Sequence, residues 1–269
     1  MIVGSYAAIG DSFSEGMGDE LPDGTPRGWA DLVALGLAAA HAAAQADGAT
    51  GGAAATPFGY ANLAIRGRLL GPILSEQLPP AIALRPALLT INGGGNDIMR
   101  PRVSVASTAD RLVAAAGEAT AADIRVAIVS GADPTRHLPL GPLIRARGDE
   151  LAEAVRDRLA GTGIAYIDNW GDSVLTDLRF WSVDRLHLNA LGHARVAGTV
   201  LAGLGVEIPA AAHAPSEAGA PDIARPRTAE YWRQYVLPWI GRRLTGRSSG
   251  DGRTPKRPTL LPVELPASI

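Results

Sequence analysis

The sequence predicts a three-layer α/β/α fold around a five-stranded parallel sheet. Short apolar runs recur along the chain, and the segments between them have helical patterning. This alternation is typical of a parallel sheet that is buried on both faces. With 269 residues, 46% of them hydrophobic, the chain can also bury a full core. The predicted strands are residues 3–9, 58–64, 87–91, 124–129 and 164–167.

The first apolar run leads directly into Gly10-Asp11-Ser12-Phe13-Ser14. A serine between small residues at the end of a strand can stand exposed as a nucleophile, with backbone N–H groups directed at what it attacks. Glycine and aspartate also favour ordinary turns, so this motif by itself is compatible with a plain loop. The other motifs of the chain favour the catalytic interpretation.

Three glycines, Gly93 to Gly95, follow the third run and precede Asn96 and Asp97. Glycines allow close approach of the backbone, and the asparagine NH₂ can point into the crevice where Ser12 emerges. This pattern indicates an oxyanion-hole donor. A phosphate-binding loop would need a lysine after the glycines, and the single lysine of the chain is Lys256.

Asp184 and His187 lie three residues apart, before an Ala/Val-rich segment that is predicted to form a closing helix. At this spacing the carboxylate can hold one imidazole nitrogen while the other nitrogen faces the serine. Asp11 and Asp97 are expected to fix their own turns instead. His193 is expected to cap or pack, because no cluster with metal-ligand spacing surrounds it.

Together with Asn62-Leu63-Ala64-Ile65-Arg66-Gly67, these motifs resemble, in order, the four blocks of the SGNH, or GDSL, family of serine esterases and lipases. The resemblance covers about residues 3–205. It implies the flavodoxin-like fold of that family and hydrolysis of carboxylic esters without a cofactor. The sequence departs from the family pattern at Arg66, where a small polar residue is common.

The resemblance also implies a role for each motif residue. Ser12 is the expected nucleophile, and His187 the base, oriented by Asp184. The expected oxyanion donors are Gly67, Asn96 and the backbone N–H of Ser12. Because no lid or interfacial helix is evident, short-chain acyl esters are the predicted substrates. The predicted substrate-binding residues lie near these motifs in the sequence and are Met17, Ile98, Met99, Phe180 and Trp181.

Two other functions remain open on the sequence alone. One is an O-deacetylase with the same triad, acting on an acetylated carbohydrate or natural product. The other is a non-catalytic binding module on the same fold. An intact set of Ser12, Asp184 and His187 favours the enzyme, since a binding protein has no chemical need for all three.

The chain is predicted to consist of a catalytic domain, residues 1–205, and a C-terminal extension, residues 206–269. In the extension, residues 225–240 contain two tryptophans and two tyrosines and are expected to form a short helix that docks on the domain. Residues 241–269 combine six cationic side chains with glycine, serine and proline, which is typical of a solvated tail.

Composition excludes several function classes. A formal net charge of −2 gives no indication of a nucleic-acid partner, and the absence of cysteine excludes disulfides and thiolate metal sites. No metal site is predicted. No stretch reaches the roughly 18 apolar residues of a membrane span, so stable membrane insertion is not expected. The N-terminus lacks the basic start of a secretory signal, which favours a cytoplasmic location. The oligomeric state is left open.

Overall fold

The structure is a computed structural model that describes residues 3–48, 56–138, 140–206, 229–231, 233, 237, 241 and 248–266. In these residues six strands form one sheet in the order β5-β4-β3-β1-β2-β6. Neighbouring strands from β1 to β5 run parallel, and β6 pairs antiparallel with β2. The strands are β1 Ser5–Ile9, β2 Gly59–Asn62, β3 Leu88–Ile91, β4 Arg125–Val129, β5 Ala165–Ile167 and β6 Arg257–Pro262.

Helices follow most of the strands. A π-helical turn, Ile73–Gln77, joins α3 to α4, and 3₁₀ turns lie at Thr135–His137, Ser173–Thr176 and Leu178–Phe180. The α-helices are α1 Ser12–Glu15, α2 Trp29–Gly48, α3 Leu70–Pro72, α4 Leu78–Ala83, α5 Gly95–Ile98, α6 Val105–Ala121, α7 Gly141–Leu159, α8 Ala190–Gly203 and α9 Ala229–Tyr231.

The sheet separates two apolar cores, because side chains of a strand alternate between its faces. In β1, Tyr6 and Ala8 pack with helices α2 and α8 on one face. Ala7 and Ile9 pack on the other face with α6, α7 and the helical segment 70–83. All four are fully buried. The three-layer α/β/α architecture expected from the sequence is therefore confirmed.

The sheet has one strand more than predicted. Strand β6 comes from the C-terminal extension and covers the outer edge of β2, with Tyr60 opposite Leu261. The strand contains Pro258 and Pro262, and prolines make a strand prediction less favourable because proline has no N–H to donate to the neighbouring strand. An edge strand tolerates proline. The prediction of a solvated tail is wrong for residues 257–262, which add to the sheet. An uncovered sheet edge is a liability for aggregation, and this pairing covers it.

Most of the aromatic segment 225–240 lies outside the described residues, and its described helical piece is α9. There the Tyr231 hydroxyl donates to the backbone oxygen of Asp184 at 3.0 Å, and the Arg185 guanidinium lies 4.9 Å from the Tyr231 ring centre. The extension thus contacts the segment that contains Asp184 and Arg185 at this residue. The boundary at residue 205 stays a prediction.

Candidate active site

Ser12 lies just beyond the carboxyl end of the central strand β1, as the first residue of α1. Gly10, before it, has a φ of 156°, which an L side chain rarely adopts. Gln77 holds this turn by accepting from Gly10 N at 2.8 Å and donating to Gly10 O at 3.0 Å. Gln77 is not identifiable from the sequence, because it lies 67 residues from Gly10 and belongs to no motif.

The Asp184 carboxylate holds His187. Its Oδ2 lies 2.5 Å from His187 Nδ1, and its Oδ1 accepts from the backbone N–H groups of Leu186 and His187 at 3.0 Å each. Oδ1 also accepts from Ser182 Oγ at 2.6 Å. Burial opposes ionisation of Asp184, but His187 and these hydrogen bonds outweigh it and lower the pKa of Asp184. The bond to Nδ1 leaves Nε2 as the imidazole nitrogen that can accept a proton.

Burial favours neutral His187, but the charges of Asp184 and Asp11 outweigh this effect and raise its pKa above the ordinary value of 6.5. A general base must be unprotonated, so kcat/KM should rise with pH through an apparent pKa above 6.5. Asp11→Asn removes one of the two negative charges and should move this acid limb to lower pH. Initial rates across a pH series for both proteins measure the shift. If wild type and Asp11→Asn had the same apparent pKa in the acid limb, the prediction that the Asp11 charge acts on His187 would be contradicted.

Gly67 and Asn96 approach the same cavity as Ser12 from the neighbouring strands β2 and β3. Gly67 has a φ of 71°, in the left-handed region that favours glycine. Asn96 Nδ2 donates to Asp11 Oδ2 at 3.0 Å and to the backbone oxygen of Arg68 at 3.1 Å. An oxyanion would therefore have to share or displace one of these two acceptors.

Asn96→Ala should lower kcat by about 10²- to 10³-fold, as loss of one oxyanion donor does in other serine hydrolases. The expected loss is in kcat rather than in KM, because the charge on the oxygen develops only in the transition state. Steady-state kinetics on an aryl ester measure both constants. Unchanged kinetics of Asn96→Ala would restrict Asn96 to holding the Asp11 turn.

A cavity of about 320 Å³ connects these groups and is lined by Ser12, Gly67, Asn96, Asp184 and His187. Its volume is within the range of pockets that enclose small ligands. One side is apolar and is formed by residues of α6, β4, α7 and the loop after β5. The apolar lining there includes Leu112, Ile128, Val129, Ile144, Leu151, Val155 and Trp170.

Four of the five predicted substrate-binding residues line this cavity, namely Met17, Ile98, Met99 and Trp181. Phe180 does not; it is 7% exposed and packs in the core on the α2 and α8 side. Proximity in sequence to the proposed catalytic motifs predicted both Phe180 and Trp181, but consecutive side chains point in different directions. Three lining residues that no sequence motif indicates come from the C-terminal extension: Tyr231, Ser248 and Ser249.

His193 is buried on α8 and contacts both the start of α2 and the loop that follows α1. Its Nδ1 accepts from Trp29 N at 3.2 Å, and its Nε2 donates to the backbone oxygen of Met17 at 3.0 Å. This pair of bonds defines the neutral tautomer. Burial lowers the pKa of His193 to about 4. The residue therefore packs, as expected, and holds the loop that carries Met17.

Because His193 is buried in its neutral form, the free energy of unfolding should decrease at acid pH. The folded-state pKa lies below the ordinary value of 6.5, so this contribution to stability is present above pH 6.5 and is lost as the pH falls toward 4. The loss should reach about 3 kcal/mol by then. Asp11, whose pKa burial raises to about 6, titrates in the opposite sense in this window. Comparing urea unfolding of wild type and His193→Gln across the window isolates the histidine, and parallel pH dependences would contradict its role.

Within the described ranges, no group of three or more His, Asp or Glu side chains is arranged to hold a metal ion. None of the helices in those ranges is both long and apolar enough to cross a membrane.

The fold and this cavity define a class: three-layer α/β proteins with a serine at the end of the central strand and an Asp–His pair beside it. The model of the GDSL-like lipase/acylhydrolase family matches residues 8–195. The chain belongs to that family and is a carboxylic ester hydrolase. No curated protein sequence matches it.

Solved structures with the same fold include several esterases and lipases. The acetylxylan esterase Axe2 from Geobacillus stearothermophilus is 17% identical, with a TM-score of 0.56 over 77% of this chain and 97% of that one. The lipase Lip_vut3 from a goat rumen metagenome is 15% identical, with a TM-score of 0.56 over 74% and 96%. TesA is 21% identical, with a TM-score of 0.52 over 74% and 97%. At these identities the similarity establishes the fold.

Proposed function

We propose that this protein hydrolyses carboxylic esters through an acyl-enzyme on Ser12, with His187 as general base and Asp184 as its orienting group. The observation that carries the proposal is the 2.5 Å contact between Asp184 Oδ2 and His187 Nδ1, on a histidine that lines the same cavity as Ser12. Because Nδ1 is occupied, His187 presents Nε2 to a proton from the serine.

In the first half-reaction Ser12 Oγ attacks the ester carbonyl carbon while its proton moves to His187 Nε2. The resulting oxyanion is stabilised by the N–H groups of Ser12 and Gly67 and by the Asn96 amide. The bond from carbon to the alcohol oxygen then breaks, and the alcohol leaves with the proton from His187. In the second half-reaction water attacks the acyl-enzyme by the same relay, which releases the acid and restores Ser12.

The apolar side of the cavity is the proposed site of the acyl chain. Leu112, Ile128 and Leu151 offer no hydrogen bond to a polar acyl group, and burying CH₂ groups against them is favourable. Short acyl chains, as predicted from the sequence, would occupy this side only in part. We therefore expect kcat/KM to rise from acetate to butyrate.

Initial-rate hydrolysis of p-nitrophenyl acetate, butyrate and octanoate by the wild-type protein tests the proposal. Preincubation with an aryl phosphonate should abolish the activity and add one phosphonyl group per chain, on Ser12, measured by mass spectrometry. Absence of both hydrolysis and labelling would overturn the proposal and favour the non-catalytic binding module.

An O-deacetylase is the second candidate, and acetylxylan esterases are among the structures with this fold. A polar side of the cavity, formed by Ser248 and Ser249, would suit a sugar. This candidate predicts hydrolysis of acetate only and faster turnover of acetylated xylooligosaccharides than of p-nitrophenyl acetate. Turnover of butyrate faster than acetate would exclude it.

A further inference from the structure

The C-terminal extension reaches the catalytic cavity beside Gly67. Strand β6 pairs with β2, and Gly67 follows β2, so the turn before β6 lies next to that glycine. A Cβ placed on Gly67 would lie 2.5 Å from Ser248 Oγ and 2.9 Å from Ser249 Oγ. Both serines line the cavity. The absence of a side chain at Gly67 thus makes room for two hydroxyl groups from the extension.

The turn is held in place from several directions. Ser248 N donates to Asp251 Oδ2 at 2.9 Å, and Ser248 Oγ accepts from Gly250 N at 3.0 Å. Further along, Lys256 Nζ donates to Glu15 O at 2.6 Å, to Pro26 O at 2.9 Å and to Asp31 Oδ2 at 2.6 Å. Its side chain is only 13% exposed. This lysine ties the extension to the end of α1, the helix that begins at Ser12.

The two serine hydroxyls differ in what they bind. Ser248 Oγ donates to the backbone oxygen of Arg66 at 3.4 Å, so its one donor is used inside the protein. Ser249 is exposed, and its Oγ has no hydrogen-bond partner among the described residues. A hydroxyl that lines the cavity with free donor and acceptor capacity can bind a substrate group.

Strand order gives the cavity two chemically different sides. β4, with apolar lining residues such as Ile128, lies on one side of β1, whereas β2 and β6 lie on the other. Since Ser12 follows β1, an ester bond at Ser12 would lie between the apolar side of the cavity and Ser249. Assigning the acyl chain to the apolar side leaves the alcohol half facing Ser249.

We propose that Ser249 binds a hydrogen-bonding group, such as a hydroxyl, on the alcohol half of the ester and so determines specificity for esters of polyhydric alcohols. This inference rests on the proposed function. It assigns a substrate-contacting residue to the C-terminal extension, outside the matched family region 8–195.

The experiment compares ethyl butyrate with 2-hydroxyethyl butyrate, which share an acyl group and differ by one hydroxyl. The selectivity ratio is kcat/KM for the hydroxylated ester divided by kcat/KM for the alkyl ester. In wild type this ratio should exceed one. Ser249→Ala should lower it about three- to tenfold, as expected for loss of one neutral hydrogen bond. Ser249→Thr, which keeps the hydroxyl, should largely restore it.

Ser107→Ala is the matched control, since Ser107 is an exposed serine on α6 that does not line the cavity. It should leave the selectivity ratio at the wild-type value, and thermal melts should show that all variants are folded. If the wild-type protein is active and Ser249→Ala has the same selectivity ratio as wild type, this inference alone would be overturned. A wild-type protein that hydrolyses p-nitrophenyl butyrate but neither of these two esters would also overturn this inference alone. A protein that hydrolyses none of the three esters and is not labelled by the phosphonate would overturn the proposed function and this inference with it.

Discussion

Ser12→Ala is expected to lower kcat on p-nitrophenyl butyrate by about 10⁶-fold, the scale seen when the nucleophile of a serine hydrolase is removed. Alanine cannot form the acyl-enzyme, so only direct attack by water would remain, supported by the oxyanion donors and by substrate binding. The fold should persist, because Ser12 is half-buried at the first position of α1, where alanine is tolerated. Steady-state rates, with active-site titration of the wild type, measure the loss.

Ser14→Ala is the matched control for that experiment. Ser14 lies on the same short helix but is fully buried, and its hydroxyl has no hydrogen-bond partner in the described structure. Removing that hydroxyl should change kcat by no more than a few-fold. If Ser12→Ala and Ser14→Ala retained equal activity, Ser12 could not be the nucleophile, and the observed hydrolysis would have to come from another group.

Asp184→Asn is the second large effect, with an expected fall in kcat of about 10⁴-fold by the precedent of the serine-protease triad. The carboxylate accepts four hydrogen bonds, from His187 Nδ1, two backbone N–H groups and Ser182. An amide at this position places an NH₂ group against hydrogen-bond donors. It therefore disfavours the His187 tautomer with the proton on Nδ1, which leaves Nε2 free to accept the serine proton. It also removes the charge that stabilises protonated His187 in the transition state.

Kinetics across pH distinguish this role from simple structural damage. The pKa of His187 is raised partly by Asp184, so Asp184→Asn should also move the acid limb of the residual kcat/KM to lower pH. Asp23→Asn is a suitable control, because Asp23 is exposed and only caps its own turn through Thr25 N. A loss smaller than about tenfold in Asp184→Asn would show that His187 is oriented by another group.

The fold was predictable because the pattern that indicates it, short runs of apolar residues, can be identified within short stretches of the sequence. Strands buried on both faces are apolar along most of their length, and each of β1 to β5 lies within one of the predicted runs. Strand β6 was not predictable in this way. Its exposed edge position needs few apolar residues, and Pro258 contradicts the usual strand pattern. Its place in the sheet depends on pairing with β2, about 200 positions earlier in the chain.

The candidate site divides in the same way. Ser12, Asn96, Asp184 and His187 could be singled out because reactive residue types stand beside glycines or at short spacings. Parallel strands then bring their carboxyl ends, and these residues, to one edge. No such motif or spacing singles out Gln77, Tyr231 or Ser249. Gln77 bonds both backbone groups of Gly10, whereas Tyr231 and Ser249 line the cavity. Such contacts between distant segments leave no pattern in the sequence.

The sequence by itself therefore determined the layered α/β architecture, the order of the catalytic motifs and the family, since each depends on residue type and local periodicity. Only the tertiary structure decided that Asn96 bonds Asp11, that Phe180 belongs to the core, and that the extension adds a strand and brings Ser249 to the cavity. Such contacts depend on side-chain direction and on pairing between remote segments. Those are set by packing the whole chain, where many weak contacts are satisfied together.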